Sequence, residues 1–125
     1  MTLEEMRRII LSFPGAEEGT SYGRPSFLVN RKFFTRLRAE DDSLVLTGVP
    51  IDEREMLMEA EPATFHVTPH YKDYPAVLAR RETLHPGSFR NFLERRWRKI
   101  APKKVVREWE AQNPSVLGEG RGPSN

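Results

Sequence analysis

Between Phe65 and Arg80 the chain packs His66, His70, Tyr71, Lys72, Asp73 and Tyr74 into one short segment with prolines at positions 69 and 75. Imidazole, phenol, ammonium and carboxylate groups crowded onto a stiffened turn can stack, hydrogen-bond or carry charge to a partner. Metal ligation is the first chemistry to weigh, because His66 and His70 lie four apart, with Asp73 and His85 as further donors. On a helix that spacing puts both rings on one face. Here Pro69 turns the chain between them and no third ligand follows at a recognised spacing, so neither a metal nor a cofactor is expected. Hydrolysis needs a nucleophile, a base and an orienter within mutual reach. The chain has Ser, His and Asp but no nucleophile elbow, and Gly15, Gly19 and Gly23 come without the lysine of a phosphate-binding loop. Acid–base work by His70, alone or with Glu17 and Glu18, stays open as the enzyme reading. With no catalytic motif matched, the expectation is a protein that is not an enzyme.

The remaining chemistry is electrostatic. Net charge is only +2, yet residues 80–109 hold 10 Lys/Arg against 3 Asp/Glu while residues 1–79 hold 9 against 13. One end of the fold is therefore expected to be basic, which suits an anionic partner. Arg95, Arg98, Lys99, Lys103, Lys104 and Arg107, with Lys72 in the central loop, are the candidate phosphate contacts. Tyr22, His70, Tyr71 and Tyr74 are the candidate contact-loop residues, able to stack on bases or enter a groove. DNA is the leading partner. A protein or small ligand held in one pocket by the central loop and Ser21-Tyr22-Gly23 is the alternative.

The elements that must position these groups follow from periodicity and punctuation. A first helix runs from about Thr2 to Ser12, with Thr2 as N-cap, Glu5 completing a capping box, and Leu3, Met6, Ile9, Ile10 and Phe13 on one stripe. Pro14-Gly15 stops it. Residues 16–25 read as a loop rich in helix and strand breakers, and Ser26–Val29 as a strand. Asn30-Arg31 reads as a two-residue turn and Lys32–Arg38 as a continuous strand with Lys32, Phe34, Arg36 and Arg38 on one face. Ser43–Gly48 completes an antiparallel meander. A second helix, capped by Asp52 and closed by Glu55, is expected to reach Ala60 with Met56, Leu57 and Ala60 inward. Phe65–Val67 and Tyr74–Arg80 return to the sheet. Phe89–Ala101 and Lys103–Gln112 are amphipathic helices separated by Pro102. The domain is expected to span 1–112, with 113–125 as a disordered tail.

These words in this order resemble the MmcQ/YjbR family: Phe13-Pro14-Gly15-Ala16, Ser21-Tyr22-Gly23-Arg24-Pro25-Ser26-Phe27, Lys32-Phe33-Phe34, Val67 through Leu78, and Ala101-Pro102-Lys103-Lys104. The resemblance covers about residues 1–112. It implies an α+β fold of CyaY-like (frataxin-like) type, an antiparallel β-sheet with helices packed on one face, and a DNA-binding description that sometimes carries a "double wing" label. It brings no catalytic residues. Frataxins hold iron on an acidic ridge, but here the first helix sets Arg7 and Arg8 beside Glu4 and Glu5, so architecture transfers and iron chemistry does not.

At 125 residues a single domain can bury its own core without a staple. The chain has no cysteine, which removes disulfides, thiolate nucleophiles and Cys-based metal sites. Charges occupy the place of a signal peptide's apolar segment, and no apolar run nears the roughly 18 residues that would span a bilayer. A soluble, cytoplasmic monomer is expected.

Overall fold

The computed structural model describes residues 1–114. Helix α1 (Leu3–Leu11) starts where the sequence predicts, with the Thr2 hydroxyl accepting the Glu5 N–H at 3.0 Å. Its apolar stripe of Met6, Ile9 and Ile10 is buried. The segment expected as a loop instead contains strand β1 (Glu17–Ser21), which pairs antiparallel with β2 (Arg24–Val29). Tyr22 and Gly23 form the hairpin tip, both with positive φ, the signature of a tight turn matched to strand twist. Asn30 and Arg31 repeat that geometry between β2 and β3 (Lys32–Thr35), as their spacing predicts.

The continuous strand expected over Lys32–Arg38 is broken. The β2/β3 register slips between Phe27 and Leu28, which oppose Thr35 and Phe33. Phe34 is thereby the extra residue of a bulge. Alternation fails there, and Phe34 and Thr35 are both buried instead of facing opposite ways. Strand β4 (Leu37–Arg38) then joins a second sheet with β5 (Ser43–Thr47), β6 (Phe65–His66) and β7 (Ala76–Arg80). The sheets are β1-β2-β3 and β4-β5-β7-β6, antiparallel at every pairing.

Helix α2 (Ile51–Ala60) begins one residue before the expected Asp52 cap, behind Pro50, and has no side-chain cap. Starting there turns Arg54 inward, with Leu57 and Met58 half-buried beside the core, and leaves Met56, expected inside, largely exposed. Helix α3 (Pro86–Ile100) starts three residues earlier than expected because the His85 ring accepts the Gly87 N–H at 2.9 Å. Helix α4 is Lys103–Gln112. Of the expected tail, residues 115–125 lie outside the described residues.

The main core lies between the helices and both sheets: Met6, Ile9 and Ile10 of α1 and Phe89, Leu93, Trp97 and Ile100 of α3 with Val29 and Phe34 of the first sheet and Leu44, Leu46, Val77 and Ala79 of the second. This is the expected α+β architecture. Val45, Ala76 and Leu78, of opposite parity, are buried as well, on the other face of β5 and β7. Residues 67–75, which join β6 to β7 and include a 3-10 turn at Pro69–Tyr71, carry the aromatic and charged cluster.

Candidate nucleic-acid interface

The central loop is held from below by a buried cation. Arg54 is only 3% exposed. Its Nη1 donates to the carbonyls of Tyr71 (3.2 Å), Tyr74 (3.0 Å) and Ala76 (3.1 Å), and its Nη2 to that of Lys72 (2.8 Å). Four carbonyl dipoles therefore solvate a charge that no carboxylate pairs closely; Glu55 is 4.0 Å away and exposed. A 3-10 turn over Pro69–Tyr71, a bond from the Tyr74 N–H to the Tyr71 carbonyl, and bonds from the Gly48 and Val49 N–H groups to the Pro75 carbonyl fix the rest. The fixed backbone displays side chains. Tyr71 turns toward the sheet, its hydroxyl accepting from Arg36 at 3.3 Å and its ring lying under Arg38 at 5.9 Å. His70 stands edge-on to Tyr71 with centroids 4.7 Å apart, and Tyr74 is 57% exposed beside it.

The two histidines have different jobs. His66 Nε2 lies 2.8 Å from the Ser43 hydroxyl and 3.8 Å from Asp41, which gives a Ser-His-Asp grouping by residue type. The geometry is not catalytic: Ser43 is fully buried and both partners approach the same ring nitrogen, whereas a triad needs the carboxylate on the other. Burial and the charge of Arg80 hold the His66 imidazole below its usual range, with Asp41 opposing and Arg38 adding a smaller push the same way. Because the folded value lies below the unfolded one, His66 contributes stability above the ordinary histidine pKa of ~6.5, and that stability is lost as pH falls toward the folded value. Urea midpoints should therefore drop on acidification from neutral pH. His66→Gln should flatten that drop, and an unchanged slope would remove His66 as its cause.

His85 caps α3, and Glu18 is bound by Arg7 at 2.6 Å. Among the described residues no group of three His, Asp or Glu side chains is gathered to hold a metal ion.

The basic candidates divide. Arg95 forms a two-point ion pair with Glu53 at 2.8 and 2.9 Å, and Arg98 is held between Glu94 (3.0 Å) and Glu110. Arg95 and Arg98 are thus neutralised within the chain. The hydrogen bonds between Arg95 and Glu53 lower the Glu53 carboxyl and raise the Arg95 guanidinium, as a formed ion pair requires. Lys72, Lys99, Lys103, Lys104 and Arg107 are exposed and make no ion pair among the described residues. Two cations that sequence reasoning did not select join them. The Asn30 side chain donates to the Ile100 carbonyl at 3.0 Å, bringing exposed Arg31 and Lys32 of the β2–β3 turn to the end of α3.

Strand directions explain the gathering. β2, β5 and α3 all finish at the end of the domain where β3, α2, β7 and α4 begin. Contacts tie that end together: Arg96 to the Phe33 carbonyl at 2.8 Å, Arg95 to the Gly48 carbonyl at 3.4 Å, and Gly48 to Pro75 at 2.9 Å. The central loop, Lys99, the start of α4 and the Arg31-Lys32 turn share it. Asp52, Glu55 and Asp73 dilute its charge. Tyr22 does not share it: the β1–β2 tip is at the other end of β2, about 20 Å away for six residues of strand. A pocket built jointly from Ser21-Tyr22-Gly23 and the central loop is therefore not formed. A separate cleft of about 230 Å³ lies between α2 and α3, floored by Leu57, Phe65 and Phe92 and rimmed by Glu61, Ser88, Asn91 and Arg95.

These features define a small α+β domain with helices packed on its antiparallel sheets and a basic, aromatic surface at one end. The family model described as YjbR matches residues 11–99, and the chain belongs to the YjbR family. Its curated relatives include the uncharacterized protein Rv2570 of Mycobacterium tuberculosis and the uncharacterized protein Mb2600 of Mycobacterium bovis, each 28% identical over 96 residues that cover 74% of this chain and 74% of the relative. No solved structure gives a significant match. The matched segment includes Arg54, the central loop and Lys99, and it stops before α4. No helix among the described residues is long and apolar enough to cross a membrane.

Proposed function

We propose that the protein is a non-enzymatic DNA-binding domain, acting as a monomer in the cytoplasm, that holds the phosphate backbone at its basic end. One observation carries the reading. Cations from four separate chain segments, Arg31-Lys32, Lys72, Lys99 and Lys103-Lys104, converge at one end without ion-pair partners among the described residues, while Arg95 and Arg98 are occupied by carboxylates. Two lysines in the first turn of α4 oppose the helix dipole and cost that helix stability. Their value is in the field they add to the free N–H groups of the same turn, which favours an anion. Arg107, one turn further on, extends the footprint along α4.

Fluorescence anisotropy of labelled DNA at low and near-physiological salt tests the reading. Affinity should fall linearly in log–log form, and the double charge reversal Lys103→Glu/Lys104→Glu should weaken binding and flatten the slope by ~0.9 for each duplex phosphate that is no longer neutralised. The paired change Arg95→Gln/Glu53→Gln should leave the slope unchanged, since these two charges already neutralise each other. No binding at low salt, or binding indifferent to the double reversal, would refute the assignment.

A further inference from the structure

Resting on the DNA reading, we infer that the partner is single-stranded, with an unpaired base stacked on the exposed rings of the central loop. Tyr74 is 57% exposed, and its hydroxyl makes no hydrogen bond among the described residues. Its ring lies 6.1 Å from that of His70 at an interplanar angle of 36°, so two exposed rings present one open surface. Tyr71, by contrast, is tied to Arg36 and braces His70 from beneath. An exposed aromatic on a mobile loop would lose much of any stacking gain to ordering. Here the Arg54 bonds have already fixed the loop backbone at residues 71, 72, 74 and 76, so the rings are presented without that cost.

The surroundings favour a single strand over a duplex. Lys72 lies in the loop itself, and the Lys99 ammonium reaches the Gly48 turn that is bonded to Pro75. Cations thus lie at the same end of the domain as the rings, where the backbone of a strand with a stacked base would pass. Paired bases keep their faces inside the stack, and only an unpaired base can offer one to Tyr74. A duplex reader needs polar side chains free on a helix or ribbon that enters a groove. On α3, Arg95 and Arg98 are consumed by Glu53, Glu94 and Glu110, and the cations left free on α4 and at the β2–β3 turn serve either form of DNA through its phosphates.

The test compares labelled probes of equal length, about a dozen nucleotides: oligothymidylate, the same backbone made abasic, and a duplex. Oligothymidylate should bind about tenfold tighter than either of the others, the size expected for one stacked base. Tyr74→Ala should remove that advantage and leave abasic and duplex binding unchanged, while Tyr74→Phe should keep it. Thermal unfolding of both variants should match the parent because the side chain is exposed. Equal binding of oligothymidylate and the abasic strand, or tighter binding of the duplex, overturns the single-strand inference and leaves the DNA reading standing. No binding of any probe at low salt overturns both.

Discussion

Arg54→Ala is expected to lower the stability of the domain by about 3–5 kcal/mol, through lost charge-assisted hydrogen bonds and buried carbonyls left without a donor. The loss has two parts. Several charge-assisted hydrogen bonds disappear, each worth about 1.5–3 kcal/mol but not additive when they share one guanidinium. The carbonyls of Tyr71, Lys72, Tyr74 and Ala76 are then left facing the space the side chain filled. Arg54→Lys keeps the charge but not the planar fork that serves several carbonyls at once, so it should fall between the parent and the alanine variant. Urea unfolding gives the magnitude, and hydrogen exchange at the Tyr74 and Ala76 amides shows whether the loop loosens first. A urea midpoint near the parental value for Arg54→Ala would mean that the loop is held by something else.

Trp97→Ala should be comparably damaging, by about 3–5 kcal/mol, because the side chain is fully buried and the hole cannot collapse from one side. Trp97 joins three elements. Its ring packs against Phe13 after α1 at 6.1 Å and against Trp109 of α4 at 5.3 Å, and its Nε1–H donates to the Pro14 carbonyl at 2.9 Å. Trp97→Phe keeps a ring in the space and loses the hydrogen bond, so about 1–2 kcal/mol is expected. Since α4 docks through Val105, Val106 and Trp109, the alanine variant should also weaken the proposed DNA binding by displacing Lys103 and Lys104. Equal urea midpoints for the alanine and phenylalanine variants would contradict this picture.

What could be read from sequence were the features written locally. Thr2 and the stripe behind it specify α1, Asn30-Arg31 specifies a tight turn, and the apolar positions of α3 and α4 lie on their buried sides. Strand β1 was illegible because Glu-Glu-Gly-Thr-Ser has no alternation; it is a strand only because β2 offers it a ladder. Gly19 is part of that fit, since a Cβ there would come within 2.8 Å of Leu28. The bulge at Phe34 was invisible for the same reason, being decided by the partner strand.

At the site, the aromatic loop and the basic C-terminal third were legible as composition, but the identity of the free cations was not. Arg95 meets Glu53 across 42 residues, and Asn30 meets Ile100 across 70. Arg54 was missed because a charged residue on a helix ordinarily reads as a wet face. Its spacing to Leu57 and Met58 was the one available sign that it points inward.

The guanidinium beneath the loop is in effect a covalently tethered counter-ion. Carbonyl clusters of this kind commonly recruit a metal ion, and a loop shaped that way would change with ion identity and with chelators. This one carries its cation on α2, buried where added salt screens little. Its shape should therefore stay constant across the ionic strengths at which phosphate contacts weaken. A salt titration of the proposed DNA binding then reads ions released from the nucleic acid, uncontaminated by melting of the basic, aromatic end.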